Sequence, residues 1–238
     1  MNVAPASLPA CRLEADATIN AKLIPFKQES ATMKTLKTVM TSAAAMMILF
    51  GSAHAADKHL FYMNGCCINK VGGGAYEAIV KELRNAGFIV VFDLRNDDSN
   101  ATIQAEVAKV ADQVKTLLDK GTAPEDITVS GYSLGSIETL LVSIAIANPK
   151  VNYVLLAGCP GSGARSFDID YAKVQGRVLS IIDTKDDKFG SCKERLPENV
   201  LQKEIAFDSG YGHAVFRYTG EKNMKLWREP LESWAKIK

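Results

Sequence analysis

Hydrophobic and polar positions follow two rhythms along this chain. Six short stretches are rich in β-branched, aromatic and aliphatic residues: 59–64 (HLFYMN), 88–94 (FIVVFDL), 127–132 (ITVSGY), 152–158 (NYVLLAG), 177–183 (RVLSIID) and 201–207 (LQKEIAF). Several are continuous apolar runs rather than alternations, as central parallel strands covered on both faces require. Elsewhere apolar residues recur every three or four positions. That spacing predicts helices over about 75–86 and 102–120, from just after Ser133 to about Asn148, and over about 222–236. Gly87, Gly121 and Pro149 mark helix ends. Strands and helices in turn predict the α/β class: a doubly wound, mainly parallel sheet of about six strands with helices on both faces.

The N-terminal stretch does not share these rhythms. From Met33 to Asp57 it reads MKTLKTVMTSAAAMMILFGSAHAAD, with Lys34 and Lys37 ahead of an apolar run and Ala53-His54-Ala55 behind it. A basic start, a short apolar centre and a small-x-small site are the three parts of a secretory signal peptide. The apolar run is too short for a stable membrane span. The expectation is therefore a signal peptide over 33–55, an exported (periplasmic or secreted) protein, and a single folded domain over 56–238. Residues 1–32 precede the internal Met33. They are expected to be a non-native extension arising from start-site choice, or else a disordered one.

Composition narrows the partners. The whole chain carries a net charge of +1, and without residues 1–55 the balance falls to about −1. Neither value supplies the basic surface that nucleic-acid binding needs. Past the signal segment the cysteines are Cys66, Cys67, Cys159 and Cys192. An even count in an exported chain favours disulfides over a metal site, and no C-x-x-C pair is present. A Cys66–Cys67 bridge between neighbours would be strained. Cys159–Cys192 is the favoured pair, since both are expected in loops after neighbouring strands.

The chemistry centres on ITVSGYSLGSIETL, residues 127–140. A strand-like run meets Gly131-Tyr132-Ser133-Leu134-Gly135, and the apolar positions Ile137, Leu140, Leu141, Ile144 and Ala145 then recur at helical spacing. A serine at such a corner sits on a sharp turn with its hydroxyl exposed, and glycines on either side let strand and helix pass closely. A helix-capping serine is the plainer alternative.

This segment resembles the nucleophile elbow of the α/β-hydrolase superfamily. The resemblance implies a minimal, lidless form of that fold, beginning at the family's third strand. It also implies a Ser-acid-His order along the chain. His213, in DSGYGHAVF after the last strand, matches the family's base. His59, at the start of the first strand, does not, and is read as structural or exposed. In SIIDTKDDKF the family's turn puts Asp186 at the acid and Phe189 at the following apolar position. Asp187 and Asp168 are alternatives, and Asp183 stands where the family has glycine. The backbone N–H groups of Leu134 and Cys66 match the oxyanion donors, with Asn64 replacing the family's histidine before Gly65. Gly72–Gly74 is expected to form an approach loop. The implied activity is hydrolysis of a carboxylic ester or thioester through an acyl-serine, on a small-molecule acyl substrate and with no cofactor. A hydrolase-like binding protein of the cell envelope, without catalysis, is the competing class.

Overall fold

A computed structural model of the protein describes residues 57–165 and 167–236. The expected signal peptide and the segment before it lie outside the described residues. The first half contains β1 (His59–Met63), α1 (Ile68–Val71), α2 (Gly74–Asn85), β2 (Ile89–Val91), α3 (Asn100–Asp119), β3 (Ile127–Tyr132) and α4 (Leu134–Ile146). The second half adds β4 (Asn152–Leu156), β5 (Cys159–Pro160), β6 (Arg177–Asp183), β7 (Phe189–Gly190), β8 (Leu201–Phe207) and α5 (Glu221–Lys236). A 3-10 turn, Gly212–Arg217, joins β8 to α5.

Six strands form one parallel sheet in the order β2-β1-β3-β4-β6-β8. The expected doubly wound α/β architecture is what the chain adopts. Helices α3 and α4 pack against each other, while α5 lies against β4 and β6, and α2 against β2. Every residue of β3 and β4 is buried, whereas the edge strands β2 and β8 are partly exposed. This difference follows from position, because only central strands are covered on both faces. Helix α4 is buried along nearly its whole first three turns, including Ser136, Glu138 and Thr139. The chain leaves β1 toward β2 on one side and leaves β3 toward β4 on the other. A parallel sheet opens a crevice at such a reversal, outside the carboxyl ends of the strands. Ser133 follows β3 and Gly65 follows β1, so the two flank this crevice.

Two predicted strands are shorter than their apolar runs. The stretch 88–94 pairs only over Ile89–Val91, after which the polar segment leaves the sheet edge and its backbone bonds to Asn64 instead. The stretch 152–158 ends at Leu156, because Ala157 and Gly158 take φ of 93° and 84° and turn the chain. A Cβ at Gly158 would lie 2.2 Å from the Gly190 carbonyl oxygen, so this turn needs glycine to meet β7. Strands β5 and β7 form a separate antiparallel pair, and Cys159 and Cys192 are joined in a disulfide beside it. Between Gly158 and Arg177 the described residues form β5 and a three-residue 3-10 turn, with no lid helix. Gly72–Gly74 is a tight joint between α1 and α2 rather than a loop.

Candidate active site

The corner after β3 is made by sterics. A Cβ at Gly131 would sit 2.1 Å from the Gly135 oxygen, and one at Gly135 would sit 2.2 Å from the Met63 oxygen. Glycine at both positions lets β3, α4 and the end of β1 meet at backbone contact. Ser133 between them has φ 58° and ψ −114°, a conformation that non-glycine residues adopt only when their surroundings impose it. Its amide donates to the Leu156 oxygen at 3.1 Å. Although Ser133 occupies the N-cap of α4, its side chain makes no capping hydrogen bond. The hydroxyl instead lies 2.8 Å from Nε2 of His213. Ser133 is 6% exposed, a narrower opening than the missing lid suggests.

His213 is held on several sides. Its ring stacks on Phe189 and tilts against Tyr132, with both centroids 5.1 Å away. The Tyr132 hydroxyl donates to the His213 carbonyl at 2.9 Å. Burial pushes the Tyr132 phenol well above its ordinary pKa, so the hydroxyl keeps the proton it donates. Nδ1 of His213 lies 2.6 Å from Oδ2 of Asp186, whose side chain is fully buried. The other oxygen of Asp186 accepts the amides of Lys188 and Phe189 at 2.8 and 3.0 Å. Each carboxylate oxygen thus has its own partners, which fixes the plane of the group facing the imidazole. Asp187 and Asp168 are exposed, and neither pairs with His213. His59 is half-buried at the opposite, amino-terminal end of β1.

Asp183 is a second buried carboxylate in this turn. It accepts the Lys185 amide at 2.8 Å and the Ser209 amide at 3.1 Å, and also bonds the Ser209 hydroxyl. The Asp186 amide in turn donates to the Asp183 oxygen at 3.0 Å. The departure from the family's glycine therefore ties the acid-bearing turn to the segment leading to His213. At Gly212, with φ 55°, a Cβ would stand 2.7 Å from the Lys185 oxygen, so the same two segments touch there as well.

Across the crevice the Gly65 position is also close-packed. A Cβ there would be 2.9 Å from the Tyr132 ring and from the Tyr76 hydroxyl. The next amide is that of Cys66. The Leu134 amide opens α4, where no preceding turn offers it an acceptor. Cys67 caps the short α1 and donates its amide to Asp98 at 2.6 Å, and the sulfurs of Cys66 and Cys67 lie 2.6 Å apart. The motif-based reading missed Asn64 as a clamp, along with Arg95 and Glu138. Glu138 carried a signal: it lies four residues after Leu134 and three before Leu141, a charge on an apolar helix face. A recess of about 390 Å³ near the start of α5 is lined by Asp208, Ser209, Tyr211 and Leu226, and by none of Ser133, Asp186 and His213.

No protein-family model matches the chain, and no curated protein matches it in sequence. Solved structures do match. The structure of the Francisella virulence factor BioJ aligns with a TM-score of 0.55 at 13% identity, over 78% of this chain and 79% of that one. SOBER1 of Arabidopsis thaliana gives 0.48 at 17% identity, over 76% and 98%. A carboxylesterase from Mesorhizobium loti gives 0.48 at 16% identity, over 73% and 88%. Together with the six-stranded parallel sheet, the likeness to BioJ gives this chain the α/β-hydrolase fold.

Proposed function

From this α/β-hydrolase fold, we propose that the protein is an exported serine hydrolase that cleaves a carboxylic ester or thioester through an acyl-serine. One observation carries the reading. Asp186, His213 and Ser133 form an unbroken row at 2.6 and 2.8 Å, ending on a serine held in a strained strand-to-helix corner. Ser133 Oγ attacks the acyl carbon while His213 Nε2 takes its proton, and Asp186 stabilises the imidazolium. The oxyanion is received by the N–H groups of Leu134 and Cys66. Collapse expels the alcohol or thiol with the proton from His213. A water activated by the same imidazole then releases the acid and restores Ser133.

The signal-like segment 33–55 supports export, as does the Cys159–Cys192 disulfide, since such bridges persist in oxidising compartments. The short link between β4 and β6 favours a soluble small-molecule acyl substrate over an interfacial lipid. Among the described residues no helix is long and apolar enough to cross a membrane.

The test is fluorophosphonate labelling of the protein purified from the exported fraction, beside Ser133→Ala and His213→Ala. The wild type is expected to label and to hydrolyse short acyl esters, with its N-terminus at Ala56. Both variants should lose turnover by roughly 10⁴-fold or more while remaining folded. A folded wild type that neither labels nor hydrolyses any ester in a chain-length panel sinks the reading and leaves a ligand-binding role.

A further inference from the structure

Behind the Gly65–Cys66 turn lies a charged cluster that the acyl-transfer steps do not use. Arg95 is 5% exposed and Glu138, on α4, is 1% exposed. Arg95 Nε stands 2.9 Å from Glu138 Oε1, a salt bridge without linear hydrogen-bond geometry. Arg95 Nη2 donates to the Asn64 oxygen at 2.9 Å and reaches the Gly65 oxygen at 3.5 Å, while Nη1 pairs with Asp98. Asn64 returns the hold. Its Oδ1 accepts the Arg95 amide at 2.9 Å, and its Nδ2 donates to the oxygens of Gly65 and Arg95 at 2.8 and 3.2 Å.

An arginine and a carboxyl group buried this deeply are costly, and an apolar replacement often serves stability as well or better. The wiring suggests what the pair does instead. The Gly65 carbonyl and the Cys66 N–H belong to one planar peptide unit. Asn64 and Arg95 hold its carbonyl end, so the N–H must point away from the clamp. The Nε edge of the same guanidinium faces Glu138 on the helix whose first amide is that of Leu134. A Cβ at Gly135 would meet both Met63 and Asn64 backbone atoms, so that helix start and this loop are in direct contact.

We propose that Arg95, anchored on Glu138, is a positioning residue of the oxyanion hole: it sets the Gly65–Cys66 peptide against the start of α4 so that the Cys66 and Leu134 amides converge on one oxygen. The proposal rests on the acyl-transfer reading above. Asn64 belongs to the same device, which accounts for its place where the family has histidine.

The test uses the full protein with p-nitrophenyl acetate, counting competent serines by fluorophosphonate titration. Arg95→Lys keeps a cation but loses the planar fork. It is expected to lower kcat per titrated serine by roughly 100-fold, with KM within about twofold, as for a displaced oxyanion donor. Glu138→Gln keeps the volume and should lower kcat about 10-fold in the same manner. Phenylboronic acid, whose tetrahedral adduct on Ser133 places an oxygen in the hole, should bind each variant more weakly by about the same factor.

A brace for stability alone would lower the melting temperature and the titratable fraction, leaving kcat per serine and boronate affinity at wild-type values. That result overturns the proposal. Should Arg95→Lys not fold, Glu138→Gln alone decides between the two outcomes. A wild type that neither labels nor turns over removes the acyl-transfer reading and this proposal together. An active wild type with unaltered variants removes only this proposal.

Discussion

The two walls of the crevice are built in opposite ways. The wall after β3 comes from one short run: Gly131, Ser133 and Gly135 form a corner made rigid by backbone contact within the run and with Met63 at the end of β1. The wall after β1 is a loop, and what holds it comes from elsewhere in the chain, from Arg95 and Asp98 and from Glu138 on the far helix. The acid-bearing turn after β6 follows the second pattern, with Asp183 binding Ser209. A corner made by close packing tolerates almost no change at its small residues. A loop held by polar clamps tolerates change to the extent that each clamp is replaceable.

The largest expected effect is therefore at the corner. In Gly135→Ala the new Cβ meets the Met63 oxygen and carbon at 2.2 and 2.7 Å, backbone atoms that cannot rotate aside. The variant should lose about 3 kcal/mol or more in urea denaturation and label poorly with fluorophosphonate. An unchanged midpoint would show that the corner is softer than its contacts imply.

Asp183→Ala probes a clamp. It strips acceptors from the Lys185 and Ser209 amides and from the Ser209 hydroxyl. Stability should fall by about 1–3 kcal/mol. Turnover per titrated serine should fall roughly 10-fold as Asp186 loses its tie to the His213 segment. Equal turnover at lower stability would make Asp183 a brace for the fold and nothing more.

The smallest effect is a pH dependence at Glu138. Burial pushes its carboxyl up to about 8 from an ordinary 4.5. Arg95 pulls the other way, while Glu106 and Asp98 add to the rise. The folded protein therefore keeps a proton that the unfolded chain releases, and between those pH values stability falls as pH rises. Glu138→Gln removes this term. Its urea midpoint relative to wild type should climb from about pH 4.5 to about pH 8 and stay level below that window. Parallel midpoints across the range would mean that Glu138 is ionised in the folded protein throughout.

Much of this architecture is legible in the sequence alone. The runs at 59–64, 127–132 and 177–183 became strands within a residue of their expected limits, because continuous apolar runs bury well only in a covered sheet, and 201–207 became the partly exposed edge strand β8. The strand at 88–94 shrank because nothing in its local pattern revealed that Asn64 would take the backbone groups of Arg95. Asn64 and Asp183 were visible only as departures from a family pattern. Folded, each is a buried side chain that ties two segments together.

By itself the sequence determined the alternation of strand and helix, the glycine-flanked corner around Ser133, and the order in which serine, acid and histidine occur. These depend on hydrophobic period and on steric exclusion between near neighbours, and both are written locally. The tertiary structure decided that Asp186 rather than Asp187 faces His213, and that Cys159 meets Cys192. It also decided that Arg95 reaches from Glu138 to the Gly65–Cys66 peptide. Those are matters of distance through space, since a carboxylate, a thiol or a guanidinium acquires its partner only when the chain brings the two within a few ångströms.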